Sequence, residues 1–362
     1  MADRRPLGFQ HRDPEPSAAP EPAAKHDATT LDDRAVAALL PERPVRGHKG
    51  TFGKVLVVAG SLDYAGAALL VCRSAGRAGA GLVTLAVPES LQPLFAAKVV
   101  EATTMALPED DVEEVDPEPS LARILDHEHD AIVVGPGLRP GLATAELVRM
   151  LLTASDGDAA LPPMVLDAEA LRSMATLGEW WTSATRACVL TPHPGEFERL
   201  REGSGLEPSE PEDLAGDDAA RRAAATAAAA AWKQVVVLKG AKTVIAEPDG
   251  TVTTAPFENP ALATGGTGDV LAGIIGALLA QGVAPGPAAR LGVYLHGSAG
   301  ELVRERLGDA GLLASDLPDS VPTVRKRLVN LAERQSSSKK VGFAVRDQSG
   351  APAGPAAPGA GS

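Results

Sequence analysis

Apolar and polar positions alternate along the middle of this chain with two different periods. Short, continuous apolar runs that suit buried strands occupy residues 55–61, 82–87, 130–134, 164–166, 189–191 and 235–238. Segments with helical periodicity lie between or after them, at residues 65–78, 143–152, 219–232 and 269–282. Residues 243–246 and 251–254 flank a Pro-Asp-Gly turn, which is typical of a β-hairpin. Strands that alternate with helices in this way predict an α/β fold with a mostly parallel sheet and helices on both faces.

The segments outside this alternation set the limits of the predicted domain. Residues 29–40 predict a short leading helix, because two aspartates stand near its start and prolines follow it. Residues 1–28 and 335–362 are rich in small residues and proline and show no sustained period, so we expect both to be disordered tails. The core, residues 29–334, contains no internal repeat or linker and is predicted to form one domain.

A glycine-rich loop runs directly into one of the predicted helices. Residues 263–268 read Ala-Thr-Gly-Gly-Thr-Gly, and Asp269 then begins a helix that Gly282 ends. Such a loop leaves backbone N–H groups unpaired at the positive end of the helix dipole, which favours a bound phosphate. A carboxylate beside that phosphate is unfavourable unless a metal ion or a transferable proton is involved, so Asp269 is a candidate catalytic residue. The alternative is that Asp269 is an ordinary first-turn or capping residue.

Polar and glycine-rich residues also follow one predicted strand after another. They are Gly60-Ser61, Gly135-Pro136-Gly137, Asp167, residues 192–196, residues 239–243 and residues 265–269. Because the carboxyl ends of parallel strands meet at one edge of a sheet, we expect these groups to line a single cleft.

Composition excludes several classes of function. The 362 residues carry a net charge of −13 and only 3% aromatic residues, which argues against binding to a nucleic-acid backbone or to stacked bases. Cys72 and Cys188 are far apart and lack metal-ligand spacing. The N-terminus does not resemble a signal peptide, and no apolar run is long enough to span a membrane, so we expect a cytoplasmic protein.

The motifs and their order resemble the ADP-dependent NAD(P)H-hydrate dehydratases, a family of the ribokinase-like superfamily. The resemblance rests on residues 191–196 (Thr-Pro-His-Pro-Gly-Glu), residues 238–243 (Leu-Lys-Gly-Ala-Lys-Thr) and residues 263–273. His48-Lys49-Gly50 with Gly53, Gly66-Ala67-Ala68 and Gly135-Pro136-Gly137-Leu138 also fit the pattern. Arg139 is a departure, since the family usually carries glycine there. The match spans residues 48–301, and no epimerase domain precedes it, so we expect the single-activity form.

The resemblance implies a ribokinase-like three-layer αβα sandwich with a mostly parallel central sheet. It also implies ADP-dependent dehydration of the S epimer of NADHX or NADPHX, the hydrated forms of NADH and NADPH, with release of AMP and phosphate. ADP would be the cosubstrate, Mg²⁺ the expected cofactor, with no metal ligands assigned, and a homotetramer the expected assembly. No nucleic-acid or membrane partner is expected.

The resemblance implies a role for each matching residue. Asp269 would be the general base and would also contact the hydrated dinucleotide, together with Ala67, Gly137 and His193. ADP or AMP would contact Lys239, Gly240, Ala241, Lys242, Thr243, Gly265, Gly266, Thr267 and Gly268. Either Lys239 or Lys242 would supply positive charge near the phosphates.

Several alternatives remain open at this point. Glu196 is either a first-turn charge or a water-mediated magnesium contact, and His193 is either a substrate contact or a structural histidine. His296, in an apolar helical stretch, is interpreted as a packing residue. A small-molecule kinase of the same superfamily that uses ATP would employ Asp269 in the same way. A noncatalytic nucleotide sensor is the alternative outside the enzymes.

Overall fold

The computed structural model describes residues 29–155, 160–202, 204–206, 214 and 216–347, with side chains described as far as residue 334. The predicted N-terminal tail, residues 1–28, therefore lies outside the described residues, as do residues 348–362 of the predicted C-terminal tail. The final helix continues to Asp347, past the predicted domain limit at residue 334. The division into a core and two tails stays a prediction.

A central sheet of ten strands organises the described part of the chain. Its strands lie in the order β1-β12-β11-β10-β9-β8-β7-β2-β3-β4, and a small antiparallel pair, β5-β6, stands apart. The strands are β1 (Thr29–Thr30), β2 (Lys54–Val58), β3 (Leu82–Pro88), β4 (Thr103–Leu107), β5 (Glu109–Asp111), β6 (Glu114–Val115), β7 (Ala131–Val134), β8 (Met164–Leu166), β9 (Cys188–Leu190), β10 (Val235–Leu238), β11 (Val244–Ala246) and β12 (Val252–Thr254). Only the β10-β11 and β11-β12 pairs of the large sheet are antiparallel.

Helices cover both faces of this sheet. They are α1 (Asp33–Ala37), α2 (Ala65–Ala78), α3 (Gln92–Ala96), α4 (Pro117–Asp126), α5 (Leu142–Thr153), α6 (Glu169–Ala175), α7 (Pro194–Glu202), α8 (Asp218–Trp232), α9 (Thr267–Ala280), α10 (Pro285–Leu307) and α11 (Val321–Asp347). Short 3₁₀ turns occupy Lys49–Phe52, Glu89–Leu91, Trp180–Thr182, Pro260–Leu262, Ala314–Asp316 and Pro318–Ser320. No helix in the described ranges is long and apolar enough to cross a membrane.

The alternation of side chains along each strand divides the core into two layers. In β2, Val55 and Val57 pack into a core with α2, α9 and α10, whereas Leu56 and Val58 pack into a second core with α4 to α8. All four side chains are buried, which is why the run is apolar at every position. The predicted three-layer αβα architecture with a mostly parallel sheet is confirmed.

The predicted elements differ from the observed ones mainly at the edges of the sheet. The leading helix predicted over residues 29–40 is wrong in its extent, because Thr29 and Thr30 form an edge strand that pairs with β12, and Asp32 caps a helix of only five residues. Strand β4, the β5-β6 pair and α4 were not predicted. Edge strands pack on fewer neighbours, so their apolar signal is weaker.

Small residues bring α2 and α9 into close contact across one layer. A β-carbon placed on Gly273 of α9 would lie 2.1 Å from Oγ of Ser74 and 2.4 Å from the carbonyl oxygen of Val71, both in α2. The Ser74 hydroxyl is itself turned onto its own helix, where it donates to the carbonyls of Leu70 and Val71. The two backbones therefore approach as closely as glycine permits.

We expect Gly273→Ala to lower the free energy of unfolding by about 1–3 kcal/mol, because the added methyl group meets a backbone carbonyl that cannot move aside. Gly76→Ala in the exposed face of α2 is the matched control, since nothing lies within 4 Å of its added methyl group. It should instead gain about 0.5–1 kcal/mol through helix propensity. Urea unfolding measures both, and a neutral Gly273→Ala would contradict the close contact.

Candidate active site

The carboxyl ends of three neighbouring strands and the N-terminus of one helix meet at one edge of the sheet. Asp167 follows β8, the turn that begins α7 follows β9, and Lys239 follows β10. The first turn of α9 lies over them, and a β-carbon placed on Gly268 would be 3.3 Å from Nζ of Lys239. The structure thus brings together groups that are up to about a hundred residues apart in sequence: Asp167, Glu196, Lys239 and Asp269.

Lys239 stands at the centre of this cluster. Its largely buried ammonium group donates a 2.7 Å hydrogen bond to Oδ1 of Asp167 and lies 3.7 Å from Oε2 of Glu196. Burial alone would lower the pKa of Lys239, but the negative charges of Asp167, Glu196 and Asp269 outweigh it and raise the pKa. Lys239 is therefore a fixed positive charge in the cleft.

The surroundings of Asp269 favour its neutral form, whereas those of Lys239 favour its charged form. Burial is the largest cause, followed by the nearby charge of Asp167, and together with Glu196 they raise the pKa of Asp269 to about 7 against the opposing effect of Lys239. A carboxyl group with a pKa near the operating pH is suited to accept a proton during a reaction and release it afterwards.

The loop before α9 has the shape of an anion site. Gly266 adopts a φ of 90°, and the first helical hydrogen bond runs from the N–H of Val270 to the carbonyl of Gly266. The N–H groups of Gly268 and Asp269 therefore lie in a first turn with no acceptor in the helix. Thr267 anchors the turn from below, since its hydroxyl donates to the carbonyls of Leu262 and Thr264.

His296 supports the same turn from α10. Its Nε2 lies 2.9 Å from the carbonyl oxygen of Thr267, to which it donates, and burial lowers the pKa of His296 to about 4. The ring is therefore neutral near pH 7. The interpretation of His296 as a packing residue missed this hydrogen bond to the anion loop.

A cavity of about 400 Å³ adjoins the cluster. Its lining includes six of the residues predicted to contact the nucleotide: Lys239, Gly240, Ala241, Thr243, Thr267 and Gly268. The remaining wall is mostly apolar and includes Phe257, Pro260, Leu262, Leu271, Val293 and His296. An apolar cavity with a polar, cationic end suits a nucleotide whose base enters first and whose phosphates remain at the mouth.

The two candidate lysines have different positions. Lys239 faces the cluster, whereas Lys242 lies 3.2 Å from Asp218 and 2.7 Å from Glu258 through its ammonium group. The cation beside Asp269 is thus Lys239. Gly265 and Gly266 lie in the loop but are not part of the cavity lining.

His193 and Glu196 form the turn that begins α7. Nδ1 of His193 accepts from the N–H groups of Gly195 (3.1 Å) and Glu196 (3.3 Å), and Oε2 of Glu196 accepts from the N–H of His193 (2.8 Å). The imidazole therefore caps a helix, and its Nε2 lies 3.5 Å from Oε1 of Glu196, although 53% of the histidine side chain is exposed.

The structure brings together Ala67 and Gly137, which were each predicted to contact the dinucleotide. A β-carbon placed on Gly137 would lie 2.9 Å from Cβ of Ala67 and 2.6 Å from the carbonyl of Tyr64, so this turn packs directly against the start of α2. Arg139, the departure from the family pattern, is half-exposed and lies 3.9 Å from Glu113 at the β5-β6 pair. The His48-Lys49-Gly50 motif lies at the amino end of β2, away from the cleft.

Sequence reasoning placed Asp167 in the cleft without a chemical role and assigned nothing to Arg221, yet the structure places both in this site. Asp167 is 1% exposed, and the positive φ of 52° at Ala168 turns the chain immediately after it. Its position directly after an apolar run was the available signal. Arg221, in the alanine-rich helix α8, contacts the loop at residues 239–241 and carried no signal in the sequence.

The described residues do not fit a magnesium ion held by the protein alone. Within the described part of the chain, no group of three or more His, Cys, Asp or Glu residues could hold a metal ion. The carboxylates of Asp167 and Glu196 already face the ammonium group of Lys239. A metal ion here would have to arrive with oxygen ligands of its own, such as phosphates.

Comparison with known proteins agrees with this geometry. A family model described as NAD(P)H-hydrate dehydratase matches residues 55–323. A bifunctional NAD(P)H-hydrate repair enzyme of Moorella thermoacetica is 42% identical over 293 residues, which cover 80% of this chain and 52% of that protein. The chain therefore spans about half the length of the bifunctional relatives that it matches.

Shorter relatives are matched over nearly their whole length. The ADP-dependent (S)-NAD(P)H-hydrate dehydratase of Bacillus subtilis is 37% identical, with 81% of this chain and 96% of that protein covered. A crystal structure of the ADP/ATP-dependent NAD(P)H-hydrate dehydratase from Bacillus subtilis, co-crystallised with ATP and Mg²⁺, superposes with a TM-score of 0.69 at 34% identity, over 83% and 99% of the two chains. The predicted ribokinase-like fold is confirmed by this and similar structures. The chain belongs to the NAD(P)H-hydrate dehydratase family.

Proposed function

We propose that the protein uses ADP to dehydrate the S epimer of NADHX or NADPHX, giving NADH or NADPH, AMP and phosphate. The observation that carries the proposal is the placement of Asp269, with its raised pKa, beside Lys239 and the glycine-rich turn, both of which line the cavity. The names of the relatives support the substrate and the cosubstrate.

The first step of the proposed reaction is phosphoryl transfer to the hydroxyl group of the hydrated ring. Asp269 accepts the hydroxyl proton while the oxygen attacks the β-phosphorus of ADP, and AMP leaves as the phosphoanhydride bond breaks. Lys239 and the unpaired N–H groups of Gly268 and Asp269 stabilise the negative charge on the transferred group.

The second step is elimination. A ring hydroxyl is a poor leaving group, but its phosphate ester is a good one. The lone pair of the adjacent ring nitrogen expels the phosphate, and loss of a ring proton restores the double bond of the dihydronicotinamide. We place the dinucleotide beside Ala67, Gly137 and the exposed edge of His193, which leaves the apolar cavity for the adenine of ADP.

Mg²⁺ enters this proposal as part of the nucleotide substrate. Its ligands would be phosphate oxygens and water, because the nearest carboxylates are occupied by Lys239. The co-crystal of the related enzyme with ATP and Mg²⁺ supports a magnesium–nucleotide complex. The homotetramer and the cytoplasmic location stay predictions.

Incubation with NADHX, ADP and Mg²⁺ should restore the absorbance at 340 nm, with one AMP and one phosphate released per NADH formed. Omission of ADP should abolish the recovery. If absorbance does not return with ADP while ATP phosphorylates an alcohol substrate, the protein is instead a kinase of the same superfamily.

We expect Asp269→Asn to lower kcat by about 10²–10⁴-fold, since the amide cannot accept the hydroxyl proton. ADP affinity, measured by calorimetry, should not fall, because the substitution removes a negative charge that repels the phosphates. Asp126→Asn on the exposed face of α4 is the matched control and should leave both quantities unchanged. Full turnover in Asp269→Asn would remove Asp269 from the general-base role.

The pH dependence of kcat/KM should report the ionisation of Asp269. Only the carboxylate form accepts a proton, so kcat/KM should rise with pH below about 7 and level off above it. Asp167→Asn removes a neighbouring negative charge that raises this pKa, and the inflection should therefore move to lower pH. An inflection that stays in place would show that the charge of Asp167 does not act on Asp269.

A further inference from the structure

Arg221 is a buried cation that lies behind the nucleotide loop. It belongs to the first turn of α8, and only 2% of its surface is exposed. Its Nη1 donates to the carbonyl of Ala241 (2.7 Å), and its Nη2 donates to the carbonyls of Leu238 (3.0 Å) and Lys239 (3.2 Å). Burial lowers the pKa of Arg221, yet the group remains a cation under any physiological condition.

These bonds account for nearly all the carbonyl groups of the loop. The remaining one, on Gly240, accepts from the hydroxyl of Thr243 at 3.0 Å. The two outer N–H groups are also paired, Lys239 with the carbonyl of Pro192 (2.8 Å) and Lys242 with that of Phe257 (2.9 Å). Within the described ranges, the N–H groups of Gly240 and Ala241 have no acceptor.

Peptide geometry fixes the direction of one of these free donors, the N–H of Gly240. In a planar trans peptide the N–H points away from the carbonyl of the same unit. Because the carbonyl of Lys239 points to Arg221, the N–H of Gly240 points to the opposite side. Gly240 and Ala241 line the cavity, whereas Arg221 does not. The guanidinium group therefore turns the carbonyl of Lys239 away from the cavity and leaves the N–H of Gly240 on the cavity side.

Gly240 shows how close the loop lies to the guanidinium group. Its φ is 146°, and a β-carbon at this position would lie 2.7 and 2.8 Å from the two terminal nitrogens of Arg221. Any side chain here would displace the arginine from the loop. The contact thus depends on two residues, one in the helix and one in the loop.

We propose that Arg221 is a positioning residue for the ADP site: it holds the loop at residues 238–241 so that the N–H of Gly240 receives a phosphate oxygen of ADP. The inference rests on the proposed function for the identity of the nucleotide. It predicts a loss specific to ADP, whereas a purely structural tie between α8 and the sheet predicts a loss of stability alone.

Arg221→Met, Arg221→Lys and the neighbouring control Arg222→Met test this inference. Calorimetry measures the Kd of ADP, steady-state kinetics gives separate KM values for ADP and NADHX, and thermal unfolding without ligand measures stability. We expect Arg221→Met to weaken ADP binding by about tenfold or more, with the KM for NADHX within about twofold of the original. Arg221→Lys should recover part of the affinity, since one ammonium group replaces fewer of the bonds. Arg222→Met should match the unsubstituted protein.

Equal ADP affinity in Arg221→Met and the unsubstituted protein would overturn the inference, whatever happens to stability. If Arg221→Met does not fold, Gly240→Ala tests the same contact from the loop and should show the same ADP-specific loss; unchanged affinity there would also overturn it. A protein that binds ADP but does not dehydrate NADHX would refute the proposed function and leave the ADP comparison decisive. A protein that does not bind ADP would refute both.

Discussion

The ion pair between Lys239 and Asp167 is the constraint on which the rest of this site depends. It joins the ends of two strands that are not adjacent in the sheet, with β9 between them, and it fixes one positive charge among three carboxylates. The excess of negative charge falls on Asp269, the carboxylate that lies farthest along the chain and begins a helix. The lysine offsets part of the repulsion among these carboxylates, while burial, with the charges of Asp167 and Glu196, still raises the pKa of Asp269.

The surrounding fold holds these charged groups in place. Ala168 adopts a positive φ directly after Asp167, and a β-carbon placed on Gly135 would lie 1.9 Å from the carbonyl oxygen of Asp167, so the backbone there has no freedom to shift. Neutral His296 holds the anion turn through a hydrogen bond and adds no charge. The two lysines therefore lie in different places. Lys239 lies in the cluster with Asp269, whereas Lys242 pairs with Asp218 and Glu258 outside that cluster.

Sequence reasoning predicted the centre of the sheet and of the site better than their margins. The strand β10 and the helix α2 have the predicted bounds, because a strand buried on both faces or a helix that ends at a glycine leaves an unambiguous pattern. Thr29 and Thr30 could not be assigned to a strand, since an edge pairing of two residues depends on the distant β12. The role of Arg221 could not be predicted either, because a basic residue in an alanine-rich helix is usually solvent-exposed. Only the tertiary structure shows that it is buried against loop carbonyls.

Helix α2 contacts both halves of the cleft and so fixes the distance between them. Ala67, in its first turn, lies against Gly137, and Leu70, less than one turn later, is the nearest neighbour that a β-carbon on Gly266 would meet, at 2.8 Å. A helix advances about 1.5 Å per residue, so roughly 4.5 Å of rigid backbone separates the two contacts. The turn proposed for the dinucleotide and the loop proposed for the phosphates therefore pack against the same rigid helix. Their separation does not have to be set by a moving lid, and any shift of α2 would displace both sites together.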